Sequence, residues 1–283
     1  MKPYLISLII CLFGVLNAMH HARPNLIFVL ADDLGIGDVT PTNPEAKIKT
    51  PHLQKMADEG ITFMDAHSSS AVCTPTRYGV LTGRYNWRSR LARGVLSGTS
   101  DHLIPADRAT VVHLLQKVGY HTQMIGKWHL GWDWAKADKS KEKWKDIDFT
   151  KPVKNGPNIN GFTNYYGHCG SLDMPPYVWV DTGKVTAQPK REEGVDRTED
   201  PYGWYRKGPI GPDFNLDEVL PHLVEKSVAY VKERAKKKKP FFLYLPLPAP
   251  HTPIVPVPPY KEASKMNPYA DFMMQVDGHM GEL

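Results

Sequence analysis

Cysteine is scarce. The 283-residue chain holds three, and one of them, Cys11, lies in an apolar run at the N-terminus. A disulfide-stapled miniprotein is therefore excluded, and the length leaves ample material for a buried core. Strong charge of either sign is also missing. The 35 basic and 30 acidic residues leave a formal net charge of +5, too small and too scattered to argue for nucleic acid. The densest basic run, Lys236–Lys239, falls at the end of a predicted helix, where cations suit the macrodipole. No Asn-x-Ser/Thr sequon occurs, which favours a bacterial envelope over a eukaryotic secretory route. There is no internal repeat, and beyond the N-terminus no run is long and apolar enough to cross a bilayer.

What is present begins with a leader. Met1-Lys2 supplies a positive start, Tyr4 to Leu16 is almost wholly apolar, and Ala18 is a small residue suited to cleavage. This predicts a signal peptide over residues 1–18 and an exported protein, periplasmic or extracellular, with no stable membrane insertion. Cys11 has no lipobox before it. Removal of the leader leaves Cys73 and Cys169, which in an exported protein invite a disulfide, although the neighbours of Cys73 point to a different fate.

The remainder alternates strand and helix patterns. Asn25–Leu30 reads as a buried strand, Thr50-Pro51 opens a helix that Gly60 closes, and Ile61–Ala66 reads as a short strand. Thr110 caps a helix through Val118, His121–Ile125 is the next strand, Leu216–Lys238 a long helix and Phe241–Leu247 another buried strand. Tyr269–Leu283 is helix-like. The repeated order predicts an α/β fold with a mostly parallel central sheet flanked by helices on both faces. Residues 132–212, rich in Lys, Gly, Pro, Trp and Tyr, read as a loop-rich excursion that shapes a cleft.

Open α/β sheets bind ligands beyond the carboxyl ends of their strands, and four polar clusters fall there. Asp32 and Asp33 follow the first strand. Adjacent carboxylates repel, and a hard divalent cation would relieve that, although a plain turn also accommodates such a pair. Cys73-Thr74-Pro75-Thr76-Arg77, followed by Leu81-Thr82-Gly83, puts Cys73 at a helix N-terminus with Arg77 one turn later on the same face. Lys127 and His129 stand two apart, so an extended backbone would project them the same way; a surface Lys and a packed His is the alternative. His251 sits in a proline-stiffened loop after the last strand, as a ligand or as a structural histidine.

Together these clusters resemble the type I, formylglycine-dependent sulfatases, the arylsulfatase-like branch of the alkaline phosphatase superfamily. CTPTRYGVLTG (73–83) satisfies that family's Cys-x-Pro-x-Arg and Leu-Thr-Gly signature, and GYHTQMIGKWH (119–129) matches its second signature. RPNLIFVLADDLGIGD (23–38) matches the usual opening strand and metal carboxylates. The resemblance implies an alkaline phosphatase-like sulfatase fold over residues 23–283 and a sulfuric ester hydrolase acting on sulfated carbohydrates or aryl sulfates. It implies that a separate formylglycine-generating maturation enzyme oxidises Cys73, whose hydrate is a geminal diol. One hydroxyl of that diol attacks sulfur and expels the alcohol; the other then loses its proton and sulfate leaves. Asp32, Asp33 and the modified Cys73 would hold Ca²⁺, and Arg77 would hold the formylglycine oxygens. Lys127 and His251 would clamp sulfate and the leaving oxygen, either one being able to protonate it, and His129 would accept the proton of the second hydroxyl.

Gly170–Tyr177 resembles a cleft segment of exported sulfatases, where His168, Ser171 and Asp173 contact substrate or cap turns. The Tyr and Trp residues of 132–212 suit stacking on sugars or filling a core. Relatives of the family are longer and carry further metal ligands after a residue like His251, so the 283-residue chain is expected to be an N-terminal part, inactive or poorly stable alone. Two other readings stay open: a phosphonate monoester or phosphodiester hydrolase with the same nucleophile, and a truncated, non-catalytic binder of sulfated glycans.

Overall fold

The apolar runs of the sequence assemble side by side in a computed structural model that describes residues 23–137 and 144–283. The expected leader, with Cys11, lies outside the described residues. Strands β1 (Leu26–Leu30), β2 (His121–Lys127), β3 (Asn164–His168) and β8 (Phe241–Pro246) pair in parallel in the order β1-β8-β2-β3. The short β4 (Val180–Asp181) and β5 (Lys184–Val185) extend the sheet antiparallel beyond β3. A separate antiparallel hairpin joins β6 (Arg191–Val195) to β7 (Tyr205–Ile210). The mostly parallel α/β sheet expected from the alternation is therefore present. The 132–212 excursion also supplies β3, a member of the parallel sheet.

Every residue of β8 is buried. The two-residue period of a strand sends Phe241, Leu243 and Leu245 to one face and Phe242 and Tyr244 to the other. On the first face they meet Leu220, Leu223 and Val224 of α4 (Val219–Arg234) and Phe272, Met273 and Val276 of α5 (Pro268–Glu282). On the second they meet Tyr78 and Leu81 of α2 (Cys73–Thr82), Val112 of α3 (Val111–Lys117), and Trp128 and Phe162. Layers on both faces explain why β8 is an unbroken apolar run.

Local signals place the helices with one substitution of partners. Thr110 caps α3 through a reciprocal bond with His113 and also donates to the Asn160 carbonyl at 2.7 Å. Thr50 precedes α1 (Pro51–Asp58) but its side chain bonds Thr40 instead. The amides of His52 and Leu53 donate to the Asp277 carboxylate of α5, at 3.2 and 2.8 Å. A carboxylate 225 residues away thus takes the role expected of the cap.

Two expectations are corrected. The segment Ile61–Ala66 forms no strand, because it finds no ladder partner among the described residues, and Ile61 and Phe63 stay 79% and 74% exposed. The β1 strand exists but is not buried: it lies at the sheet's edge, with Ile27 and Phe28 each 41% exposed. Of the two roles left open for the aromatics of 132–212, Trp132, Trp134, Tyr165, Tyr166, Tyr177 and Trp179 take that of the core, packed in the two apolar clusters. No helix of the described residues is long and apolar enough to cross a membrane.

Glycine is required just before the end of β2. Gly126 has φ +141°, and a Cβ there would lie 2.2 Å from the Pro246 carbonyl oxygen of β8. The Gly126→Ala variant must separate the two central strands at their carboxyl ends. We expect a loss of about 1–3 kcal/mol, read as a lower urea midpoint at unchanged slope.

Candidate functional site

The carboxyl ends of β1, β8 and β2 are tied together by one arginine. Arg77, one turn into α2 and 1% exposed, donates from Nη1 to the Lys127 carbonyl at 2.6 Å. Its Nη2 donates to the Leu247 carbonyl at 3.1 Å and pairs with Asp32 Oδ1 at 3.0 Å. The other oxygen of Asp32 accepts from Lys127 Nζ. Asp32 and Lys127 are as buried as Arg77. The Asp32 amide donates to the Ala249 carbonyl at 2.9 Å, which closes the loops after β1 and β8 on each other.

Burial alone would raise the Asp32 carboxyl, but attraction to Lys127 and Arg77 overrides it and holds the group far below the usual carboxylate range. Burial opposes the charge of Arg77 as well, and Asp32 more than restores it. Two buried cations on one buried anion leave a surplus of positive charge inside the site, a setting for a bound oxyanion.

Cys73 is the first residue of α2, preceded by Val72 in extended conformation. It lines a cleft of about 460 Å³ together with Asp32, Asp33, Ser70, Thr76 and Arg77. Burial raises its thiol above the ordinary value, against the pull of Lys127, so it is a protonated and weakly nucleophilic sulfur at neutral pH. Cys169 is buried too, and both thiols are free, so the disulfide invited by their number does not form.

Lys127 and His129 are both fully buried, but the extended backbone expected between them is broken: His129 has φ +51°. The turn sends Lys127 to Asp32 and, at 3.0 Å, to Ser171 Oγ, while His129 Nε2 lies 2.7 Å from the Leu96 carbonyl. A carbonyl only accepts, so Nε2 carries the proton and Nδ1 is a bare lone pair, buried and without a partner. Thr74, next to Cys73, donates to the His129 backbone carbonyl at 2.9 Å and ties that stretch of backbone to the helix start. Burial first, and Lys127 second, hold His129 neutral well below the usual imidazole range.

His251 closes the site from the loop after β8. Its Nδ1 contacts the Thr252 carbonyl and lies 3.2 Å from Ser171 Oγ; its Nε2 stands 3.6 Å from Asp33 Oδ2. Ser171 therefore bridges Lys127 and His251, which its place in a loop named for substrate contact did not indicate. His168, opposite Lys127 in the β2–β3 register, is buried with Nδ1 on the Gly170 carbonyl and Nε2 unpartnered. Asp173 is engaged by Arg206, not by the other expected site residues.

The hard oxygens of Asp32 and Asp33 suit a hard divalent cation, and Asp33 at φ +61° leaves its carboxylate half exposed on the cleft. They are a partial set: both Asp32 oxygens already hold cations, and no cluster of three His, Cys, Asp or Glu among the described residues converges on a metal-sized site.

Two outcomes follow. Asp32→Asn should lose about 3–5 kcal/mol in urea unfolding, because it strands two buried cations. Stability should also fall with pH. Burial pushes His168 down to about 3 and holds His129 low, whereas both return to about 6.5 on unfolding. Below that pH the unfolded chain binds protons that the folded one refuses, at up to about 1.4 kcal/mol per pH unit for each histidine. Asp32 adds to the loss below about pH 4, where the unfolded carboxyl protonates first. The urea midpoint measured from pH 7 to pH 4.5 should decline, and His168→Gln should flatten the decline.

The sulfatase family profile matches residues 24–283. The chain is 27% identical to the N-acetylgalactosamine-6-O-sulfatase of Bacteroides thetaiotaomicron over 94% of its own length and 56% of that protein's. It is 28% identical to arylsulfatase G of Rattus norvegicus over 96% of its length and 49% of the relative's. A solved structure from work on the metabolism of multiple glycosaminoglycans by Bacteroides thetaiotaomicron superposes with a TM-score of 0.77 at 27% identity, covering 92% of this chain and 58% of that one. The chain thus spans about half the length of these relatives. With the signature residues gathered at the strand ends and the profile running through nearly all of the described residues, the chain belongs to the sulfatase family.

Proposed function

We propose that this protein hydrolyses sulfate esters of carbohydrates and model aryl sulfates, with residue 73 as nucleophile after a maturation enzyme has converted its thiol to formylglycine. The observation that carries this reading is the surplus of buried positive charge, Arg77 and Lys127 on Asp32, beside a residue seated on the N-terminus of α2. Such a site attracts an oxyanion, while burial keeps the Cys73 thiol protonated against the pull of Lys127 and Arg77. An oxygen nucleophile suits the place better than sulfur does.

Formylglycine supplies, as its hydrate, a hard hydroxyl in place of sulfur, and Asp32 and Asp33 are the residues that would hold Ca²⁺ to polarise it. The remaining work falls to this chain's own side chains. Lys127 Nζ, held by Asp32 and Ser171, orients a sulfate oxygen and stabilises charge that grows on it. Arg77 keeps Lys127, Asp32 and the helix start in register. His129 Nδ1, the unprotonated nitrogen, takes the proton of a hydroxyl on residue 73. His251, with Nδ1–H kept on the Thr252 carbonyl and Nε2 beside Asp33, delivers a proton from Nε2 to the departing alcohol oxygen when its ring is the imidazolium. A bulky sugar alkoxide is a poor leaving group, and that proton makes it a neutral alcohol.

The protein acts outside the cytoplasm in this reading, led there by residues 1–18. The name of the Bacteroides relative makes a 6-sulfated N-acetylgalactosamine the first sugar to test.

The test is co-production with a formylglycine-generating enzyme, followed by mass spectrometry of the Cys73 peptide and measurement of sulfate released from an aryl sulfate. We expect an aldehyde at position 73 and only weak sulfate release from a chain with a partial metal-ligand set, all of it removed by Cys73→Ala. Sulfate release by protein whose Cys73 remains a thiol overturns the proposal.

A further inference from the structure

A second cleft, of about 550 Å³, opens past the C-terminal end of α2. The ten residues of that helix, at 1.5 Å each, place it roughly 15 Å from Cys73. Arg84, Arg88, Arg90 and Arg108 converge on it, with His102 and Asp101 completing the polar wall.

Counter-charge in this wall is already taken by other groups. Its one carboxylate, Asp101, is held by Lys136 at 3.0 Å, and His102 is held by Asp133 at 2.8 Å. Arg90 donates to the carbonyls of Asp101 and His102, which neutralise nothing. Arg84, Arg88 and Arg108 take part in no ion pair among the described residues, and Arg88 and Arg108 are exposed. A helix C-terminus welcomes a cation, but its half charge accounts for one of these groups, not four. Guanidinium is also the cation whose planar fork matches a tetrahedral or carboxylate oxyanion with two parallel bonds.

We propose that this cleft binds a sulfate or carboxylate group of an anionic polysaccharide, away from the ester that is hydrolysed. The proposal rests on the reading that the protein meets sulfated carbohydrates, and it names the part of the chain that would grip such a polymer. The charges converge on one pocket and do not run as a stripe, and the chain's net charge is modest, which favours a discrete anionic group over a nucleic acid backbone.

The full chain carrying Cys73→Ala is titrated with sulfated dextran, with unsulfated dextran and single-stranded DNA as parallel arms. We expect binding of sulfated dextran alone. The exposed pair Arg88→Ala and Arg108→Ala should weaken it about tenfold or more, and Arg88→Lys with Arg108→Lys should fall between. Removing the same charge elsewhere, by Lys236→Ala and Lys237→Ala, should change it less than about twofold. Equal losses from the two double-alanine variants, or DNA binding of equal strength and equal arginine dependence, overturns the proposal. Formation of the aldehyde at position 73 on co-production with the maturation enzyme is scored separately. Arginine-dependent binding by protein whose Cys73 stays a thiol supports this cleft and sinks the formylglycine reading; an aldehyde with arginine-independent binding sinks the cleft alone.

Discussion

A buried carboxylate clasped by two buried cations governs this molecule. Asp32, Arg77 and Lys127 arrive from the loop after β1, from the helix after Cys73 and from the end of β2. None of the three could be buried alone, because desolvating an unpaired ion costs far more than a domain can spare. Paired, they bring three distant stretches of chain to one point, and Arg77 adds carbonyls of Lys127 and Leu247 to the same knot. A buried ion triad is an uncertain source of stability, since its desolvation offsets most of its attraction. Its value here is positional. It leaves an excess positive charge where α2 also points its free amides, and that combination selects an oxyanion.

The chemistry proposed for the site depends on states set by this arrangement. The same burial that raises the Cys73 thiol keeps His129 neutral, and the Leu96 carbonyl decides which of its nitrogens stays bare. Burial keeps the Cys73 thiol protonated, so a nucleophile in that position needs a neutral base to take its proton. With an oxygen acid at residue 73 the two features become complementary. The arginine cleft at the other end of α2 is built from the opposite principle: cations left exposed and unpaired, where water keeps them cheap until an anion arrives.

Much of this was legible in the residue order. The strand pattern of β2 and β8, the capped helix α3, the glycine-ended α1 and the α5 pattern were all visible as local periodicity and caps. The four clusters were legible as well, because each is a short motif at a strand end or helix start. Local signals failed where a partner was needed from afar. Thr50 has the chemistry of a cap, yet Asp277 performs it. Ile61–Ala66 has the composition of a strand and no neighbour to pair with among the described residues. The aromatic residues of 132–212 carry no mark distinguishing a sugar platform from a core, and the packing chose the core.

By itself the sequence determined the α/β class, the order of the elements and the identity of the residues at the site, since these follow from periodicity and from signature spacing. Only the tertiary structure decided that Lys127 and His129 part company at a left-handed turn, that Ser171 links Lys127 to His251, and that Asp173 belongs to Arg206. The reason is that spacing along a chain limits which side chains share a face. Which of them share a proton or a charge is settled by groups that fold in from other elements, and by how completely water is excluded around them.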